Sequence, residues 1–243
     1  MVIERAQYLG IIVPKTATIA RMRQARPSVT DEAPKSLGDQ AYERLLDMML
    51  AGDLPAGTVL QERRLADALN ISRTPVREAL GRLELEGLVT RRFNRLPTVR
   101  LLSIDEFIDI LNVRKILEIE AGTLAAGRVA PDRAQEARNA IRALVESDHR
   151  TVAQQWEVNE IVHGLVCETS GNHLLAEMAR ELRRRTHMFD MRRIPSRFHE
   201  SQEEHLEIID AVAKGDVERA RQVLAMHIDN VKRSIVDTLL GGR

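Results

Sequence analysis

A mainly α-helical protein is what this sequence predicts, interrupted by one short pair of strands. Three observations carry that expectation. Apolar residues recur with helical spacing in every long segment beyond residue 100. Residues 36–100 read instead as three short helices followed by two strands. Composition agrees, because 44% hydrophobic, 30% charged and only 3% aromatic residues suit a helix-rich globular chain and exclude collagen-like, disulfide-scaffold and largely disordered classes.

Residues 1–35 lack a sustained period and carry Pro14, Pro27 and Pro34, which predicts a mobile arm. Ser36 can cap a first helix with an inward stripe of Leu37, Ala41, Leu45 and Met48 or Met49, ended by Gly52. A short helix from about Glu62 to Leu69 turns through Asn70-Ile71 into a second, capped by Ser72. Pro75 lies in its first turn, where a missing N–H costs nothing. Val76, Leu80 and Leu83 form its inner face, and Gly87 stops it. Leu88-Val89-Thr90 and Thr98-Val99-Arg100 can then pair around Phe93-Asn94-Arg95. This order is that of a winged helix-turn-helix, over residues 36–100.

Residues 101–243 predict an all-α bundle of six or seven helices with short connections. The spans are Ser103 or Asp105 to about Arg128, Pro131 to Asp148, Thr151 to Thr169, His173 to Arg193, Ser196 to Ala213, and a helix capped by Asp216 that reaches about Leu240. No apolar run approaches the roughly 20 residues that cross a bilayer, and no leader pattern is present. The lone Cys167 cannot form an internal disulfide. Together these predict a cytoplasmic chain without a membrane partner.

Thirty-six basic and 36 acidic residues cancel, which at first argues against nucleic acid. The halves differ, however. Residues 1–100 hold 16 Lys/Arg against 12 Asp/Glu, whereas residues 101–243 hold 20 against 24. Nine arginines fall within residues 61–100. Arg73 and Arg77, four apart, project from the face opposite Val76, Leu80 and Leu83, with Thr74 beside them. A recognition helix puts its base contacts there, and arginine pairs bidentately with guanine. Arg63 is placed to hold a phosphate, and Arg91, Arg92 and Arg95 decorate the wing. For any single arginine, a solvated face is an equally good account.

The whole string is more specific. Leu54-Pro55-Ala56-Gly57, Gln61-Glu62-Arg63-Arg64-Leu65-Ala66, the run from Ser72 to Leu83 and Glu86-Gly87-Leu88-Val89 resemble the GntR family of bacterial transcription regulators. The resemblance implies operator contacts by Arg63, Arg73, Thr74 and Arg77. At the wing tip, where that family has glycine, this chain has Asn94, a residue that tolerates positive φ better than most.

All seven histidines lie beyond residue 100. His163 falls on the stripe Val152, Trp156, Asn159, Val166; His205 on Phe198, Ile208, Ile209, Val212; His227 on Ala220, Val223, Leu224, Val231. One interior histidine usually just satisfies a hydrogen bond. Three on three helices have a desolvation cost that a divalent metal would relieve, with Asn159 supplying an oxygen. His149, His173, His187 and His199 lack such placement. Arg114 is a fourth inward polar group, on the stripe Phe107, Ile110, Leu111, Leu117, Ala121. It can pair locally with Glu118, and a carboxylate ligand bridging metal and Arg114 would satisfy both.

Val113-Arg114-Lys115-Ile116-Leu117-Glu118, Asn159-Glu160-Ile161-Val162-His163, Glu204-His205-Leu206 and Met226-His227-Ile228 resemble the FCD effector domain of the FadR-like branch of that family. The resemblance implies a metal on Asn159, His163, His205 and His227 and a small organic acid as effector. Asn159 is the neutral variant of a position that is Asp or Asn. Zinc is the first expectation, with nickel and manganese as alternatives. The implied protein is a homodimer that binds double-stranded operator DNA under control of a small carboxylate. The rival is a metal-dependent hydrolase, disfavoured because no His-Glu-x-x-His pair is present and Glu160 points about 100° from the Asn159/His163 stripe.

Overall fold

A computed structural model describes residues 35–93, 95–188 and 197–241. The arm with Pro14, Pro27 and Pro34, the tip residue Asn94 and the expected end of the fourth bundle helix near Arg193 lie outside the described residues.

The N-terminal module comprises α1 (Leu37–Leu50), α2 (Glu62–Leu69), α3 (Arg73–Leu85), β1 (Val89–Thr90) and β2 (Thr98–Val99). Ser36 caps α1 by accepting from Asp39 N at 3.1 Å. Asn70 takes a left-handed φ of 56° and so turns the chain between α2 and α3. Ser72 stands at the N-cap of α3, but its side chain makes no capping bond. The strands pair antiparallel, Val89 opposite Val99 and Thr90 opposite Thr98, and Val59 adds a bridge to Thr98 that the sequence did not suggest. Leu45, Val76, Ala79, Leu80, Leu83 and Val99 are wholly buried in one core beneath these elements.

The bundle comprises α4 (Ile104–Ala125), α5 (Pro131–Glu146), α6 (Val152–Thr169), α7 (His173–His187), α8 (Phe198–Lys214) and α9 (Val217–Gly241). Capping boxes open α4 (Ser103 with Glu106) and α6 (Thr151 with Gln154). Asp216 caps α9 by accepting from Arg219 N at 3.0 Å. α4 stops three residues short of Arg128 because Gly127 turns left-handed, with φ +75°, and donates its N–H to Val212 O. Gly127 meets Gly215 back to back. A Cβ on Gly215 would lie 3.3 Å from Gly127 Cα, so this crossing admits little else. α4 and α9 pack closely because Gly122 has no side chain; a Cβ there would overlap Leu224.

One expected stripe divides. His163 and Val166 of α6 are buried in the bundle, but Val152 is exposed and Trp156 packs on the N-terminal core. The first turns of α6 have left the bundle for the interface between the modules. Arg184 of α7 reaches Tyr42 there, and His187 Nε2 donates to Leu50 O at 2.9 Å.

Candidate metal centre and nucleic-acid interface

His163, His205 and His227 arrive from α6, α8 and α9, and all three are buried. One ligand nitrogen from each falls within 4.8 Å of the others. His163 Nε2 and His205 Nε2 are 3.3 Å apart. Each Nδ1 faces an oxygen instead: Glu118 Oε2 at 2.6 Å from His163, Gln202 Oε1 at 3.3 Å from His205 and Glu204 Oε2 at 2.8 Å from His227. An ionised carboxylate can only accept, so Nδ1 of His227 carries the proton it gives to Glu204, and the Glu118 carboxylate 2.6 Å from His163 Nδ1 favours the proton there too, although the angle is not that of a formed hydrogen bond. Their Nε2 lone pairs are thereby directed into the common space.

Electrostatics keep this state. Burial pushes His163 down to about 4, and burial likewise holds His205 well below the ordinary histidine range, so both are neutral. Burial would raise Glu118, but Arg114 and His163 outweigh it and hold the carboxyl well below its usual range. Glu204 is held near 2, against its burial, by bonds from His227, Asn230 and Arg197.

With the His205 proton on Nδ1, toward Gln202 Oε1, the Nε2 lone pairs of His163 and His205 face each other at 3.3 Å and repel unless a cation lies between them. The other neutral arrangement, with the His205 proton on Nε2 and donated to His163 Nε2, would instead set the Nδ1 lone pair of His205 against Gln202 Oε1. A tetrahedral ion with bonds of about 2.0–2.1 Å needs its nitrogens roughly 3.3 Å apart, which is the spacing of the His163–His205 pair, with the His227 nitrogen within 4.8 Å of both. The donor set therefore fits a divalent metal, with oxygen acceptors behind the rings fixing their tautomers.

Arg114, expected to face the core, is buried and makes the local pair with Glu118. Its Nε donates to Glu118 at 2.8 Å and its Nη1 to Thr186 Oγ1 at 2.9 Å. It also lines a cavity of about 390 Å³ below the triad, which half-buried Asn159, His205 and His227 share. Glu160 is bound by Arg183 at 2.6 Å and 3.3 Å, which leaves no free carboxylate at the position a hydrolase would have used.

Several contributors were not read from the sequence. The sequence pairs Glu118 with Arg114 alone, yet its other oxygen lies 2.6 Å from His163 Nδ1. Glu204 was visible only as the neighbour of His205. Arg183 and Arg197 line the cavity but look like any other arginine in a basic stretch. His187, which its place in the sequence does not single out, is half-buried, packs its ring on Trp156 with centroids 4.5 Å apart and lines the cavity. Its position in an arginine-rich stretch of sequence gives no hint of that.

On the N-terminal module Arg63, Arg73, Thr74, Arg77 and Arg95 are all exposed. Arg73 and Arg77 share one carboxylate: Glu62 accepts from Arg73 at 3.2 Å and from Arg77 at 2.9 Å. Both guanidiniums keep more than half their surface, at 61% and 63%. Glu62 thus holds two arginines side by side at the open end of α3. Arg91 of the wing lies 3.4 Å from Glu84.

No described helix is long and apolar enough to cross a membrane. Residues 37–101 match the family model described as bacterial regulatory proteins, gntR family, and residues 109–230 match that of the FCD domain. HTH-type transcriptional regulator YcbG of Bacillus subtilis is 29% identical over 216 residues, 83% of this chain and 91% of that one. The Nta operon transcriptional regulator of Aminobacter aminovorans is 28% identical over 190 residues, 76% of this chain and 88% of that one. Among solved structures, E. coli McbR/YncC shares the fold, with a TM-score of 0.73 at 24% identity over 85% of this chain and all of that one.

Proposed function

Since the chain belongs to the GntR family of transcription regulators, with an FCD domain behind its winged helix-turn-helix, we propose that its operator affinity is set by a small organic acid bound at a metal in the bundle. The observation that carries this is the convergence of His163, His205 and His227 on one point above a cavity that Arg114 lines. His163, His205, His227 and Asn159 would hold the ion, zinc first and nickel or manganese as alternatives. When bound, the ion supplies a positive centre for an anionic oxygen. Arg114 supplies the second contact to the same carboxylate. The effector is thereby sunk within reach of Trp156 and His187, which touch the N-terminal module. An acid that favours one arrangement of this interface shifts the population toward it.

Arg73, Thr74 and Arg77 would read base edges from the start of α3, with Arg63 on a phosphate and Arg95 of the wing beside the backbone. A homodimer would place two such helices on a pseudo-palindromic site in the cytoplasm. Metal analysis of protein prepared without chelators tests the centre directly. About one ion per chain is expected, together with thermal stabilisation by small carboxylates that is lost in His205→Ala. Metal-free protein, or carboxylate stabilisation that survives that substitution, would refute the site.

A further inference from the structure

The cavity below the histidines has a distinctive charge. Arg114, Arg183 and Arg197 stand in its wall, and no aspartate or glutamate does among the described residues. Each arginine is met by one glutamate: Arg114 by Glu118 at 2.8 Å, Arg183 by Glu160 at 2.6 Å and Arg197 by Glu204 at 2.6 Å. These three pairs cancel. Histidines must be neutral to coordinate, and the asparagine beside them carries no charge. A divalent ion at the triad therefore leaves the cavity with two uncompensated positive charges.

The hydrogen-bond donors agree. Arg183 commits Nε and Nη2 to Glu160 and turns Nη1 toward Cys167 Sγ at 3.6 Å. Arg197 gives Nη2 to Glu204, but its Nη1 is buried and has no hydrogen-bond partner among the described residues. A buried guanidinium nitrogen left unsatisfied is costly unless a ligand meets it. Arg114 and Arg197 also approach the triad from different sides. Arg114 connects through Glu118 to His163, and Arg197 connects through Glu204 to His227. Apolar Phe107, Leu111 and Ile228 complete the wall, as a carbon chain between two anionic ends would require.

We propose that the effector is a dicarboxylate, with one carboxylate on the metal and Arg114 and the other on Arg197. This deepens, and rests on, the metal-and-effector function proposed above. A monocarboxylate would leave one positive charge and Arg197 Nη1 unanswered. Asn159 contributes to the selection, since an aspartate there would supply one of the two negative charges from the protein and leave room for only one from the ligand.

Calorimetric titration of the zinc-loaded full chain with carbon-matched acids, butyrate against succinate and pentanoate against glutarate, tests this. The dicarboxylates should bind about ten- to a hundredfold tighter, the range for one added charge-assisted contact. Arg197→Gln should close that gap to within about threefold by weakening the dicarboxylates alone. Asn159→Asp should narrow it by weakening the dicarboxylates more than the monocarboxylates. Monocarboxylates that bind the natural chain as tightly as their partners, or a gap that survives Arg197→Gln, overturn the proposal and leave the metal-and-effector function standing. Failure to bind zinc, nickel or manganese, or metal binding with no response to either kind of acid, refutes that function itself.

Discussion

Glu204→Gln is the sharpest perturbation of the proposed centre, because it removes a charge and almost no volume. Glu204 Oε1 accepts from Arg197 at 2.6 Å and from Asn230 at 2.7 Å, while Oε2 accepts from His227 Nδ1 at 2.8 Å. Every neighbour is a donor. An amide has one oxygen, so its NH2 must confront a donor in either orientation. If the NH2 faces His227, the ring is driven to the other tautomer and its Nε2 carries a proton instead of a lone pair. If it faces Arg197 and Asn230, two donors lose their acceptor. Loss of an acceptor behind a ligating histidine costs about ten- to a hundredfold in metal affinity, on the order of 1.4–2.8 kcal/mol. Competition against a chromogenic zinc chelator measures this. Glu207→Gln, on the same helix but at an exposed pair with Arg219, is the matched control. Equal zinc affinity in Glu204→Gln and Glu207→Gln would refute the assignment of His227 as a ligand whose tautomer Glu204 fixes.

Arg73→Ala should weaken operator binding and relax base preference at one position by about 1–3 kcal/mol, measured by gel shift at fixed salt; unchanged affinity counts against α3 as the reading helix. Arg114→Ala should abolish the response to an acid effector while DNA binding persists, which titration of the repressed or activated complex with acid would reveal. Acid should destabilise the metal-free chain. His163 binds a proton more weakly when folded than unfolded, so the unfolded state takes up more protons between about pH 6.5 and about 4, and stability falls as pH drops through that window. Glu118, held below its ordinary range, extends the loss to lower pH. Denaturant midpoints that stay flat across the window would contradict the buried, neutral histidine. Gly122→Ala should lower stability by about 1–3 kcal/mol, seen as a lower melting temperature, because the new methyl meets buried Leu224 where α4 and α9 are closest.

Periodicity was enough to bring the triad together on paper. His163, His205 and His227 each lie mid-stripe on a helix that must bury that stripe, so convergence follows from binary pattern alone. The N-terminal module was legible for a different reason, since caps, turn residues and short stripes punctuate it at close intervals. What lies behind the histidines was not legible. Glu118 sits one helical turn from Arg114, and that local pairing conceals its contact with His163 on another helix. Arg197 becomes a cavity residue only through the way α8 begins, which no period encodes. Trp156 lines the cavity on the His163 stripe yet also packs on the N-terminal core, because a stripe is a property of a whole helix, whereas α6 changes neighbours along its length. Its last turns bury against the bundle and its first against the other module.

The carboxylate shared by Arg73 and Arg77 also bears on how such a protein would find its site. Three side chains, two cationic and one anionic, present a net single charge to an approaching duplex. Non-specific DNA is held almost wholly through its phosphates, and that grip would be softened by Glu62. Guanine edges offer each arginine a paired acceptor geometry that a lone phosphate lacks. Glu62 would therefore depress the hold on the bulk of the chromosome more than the hold on the operator, shortening each unproductive encounter. An acid placed between two bases of the reading surface would serve the search as much as the final complex.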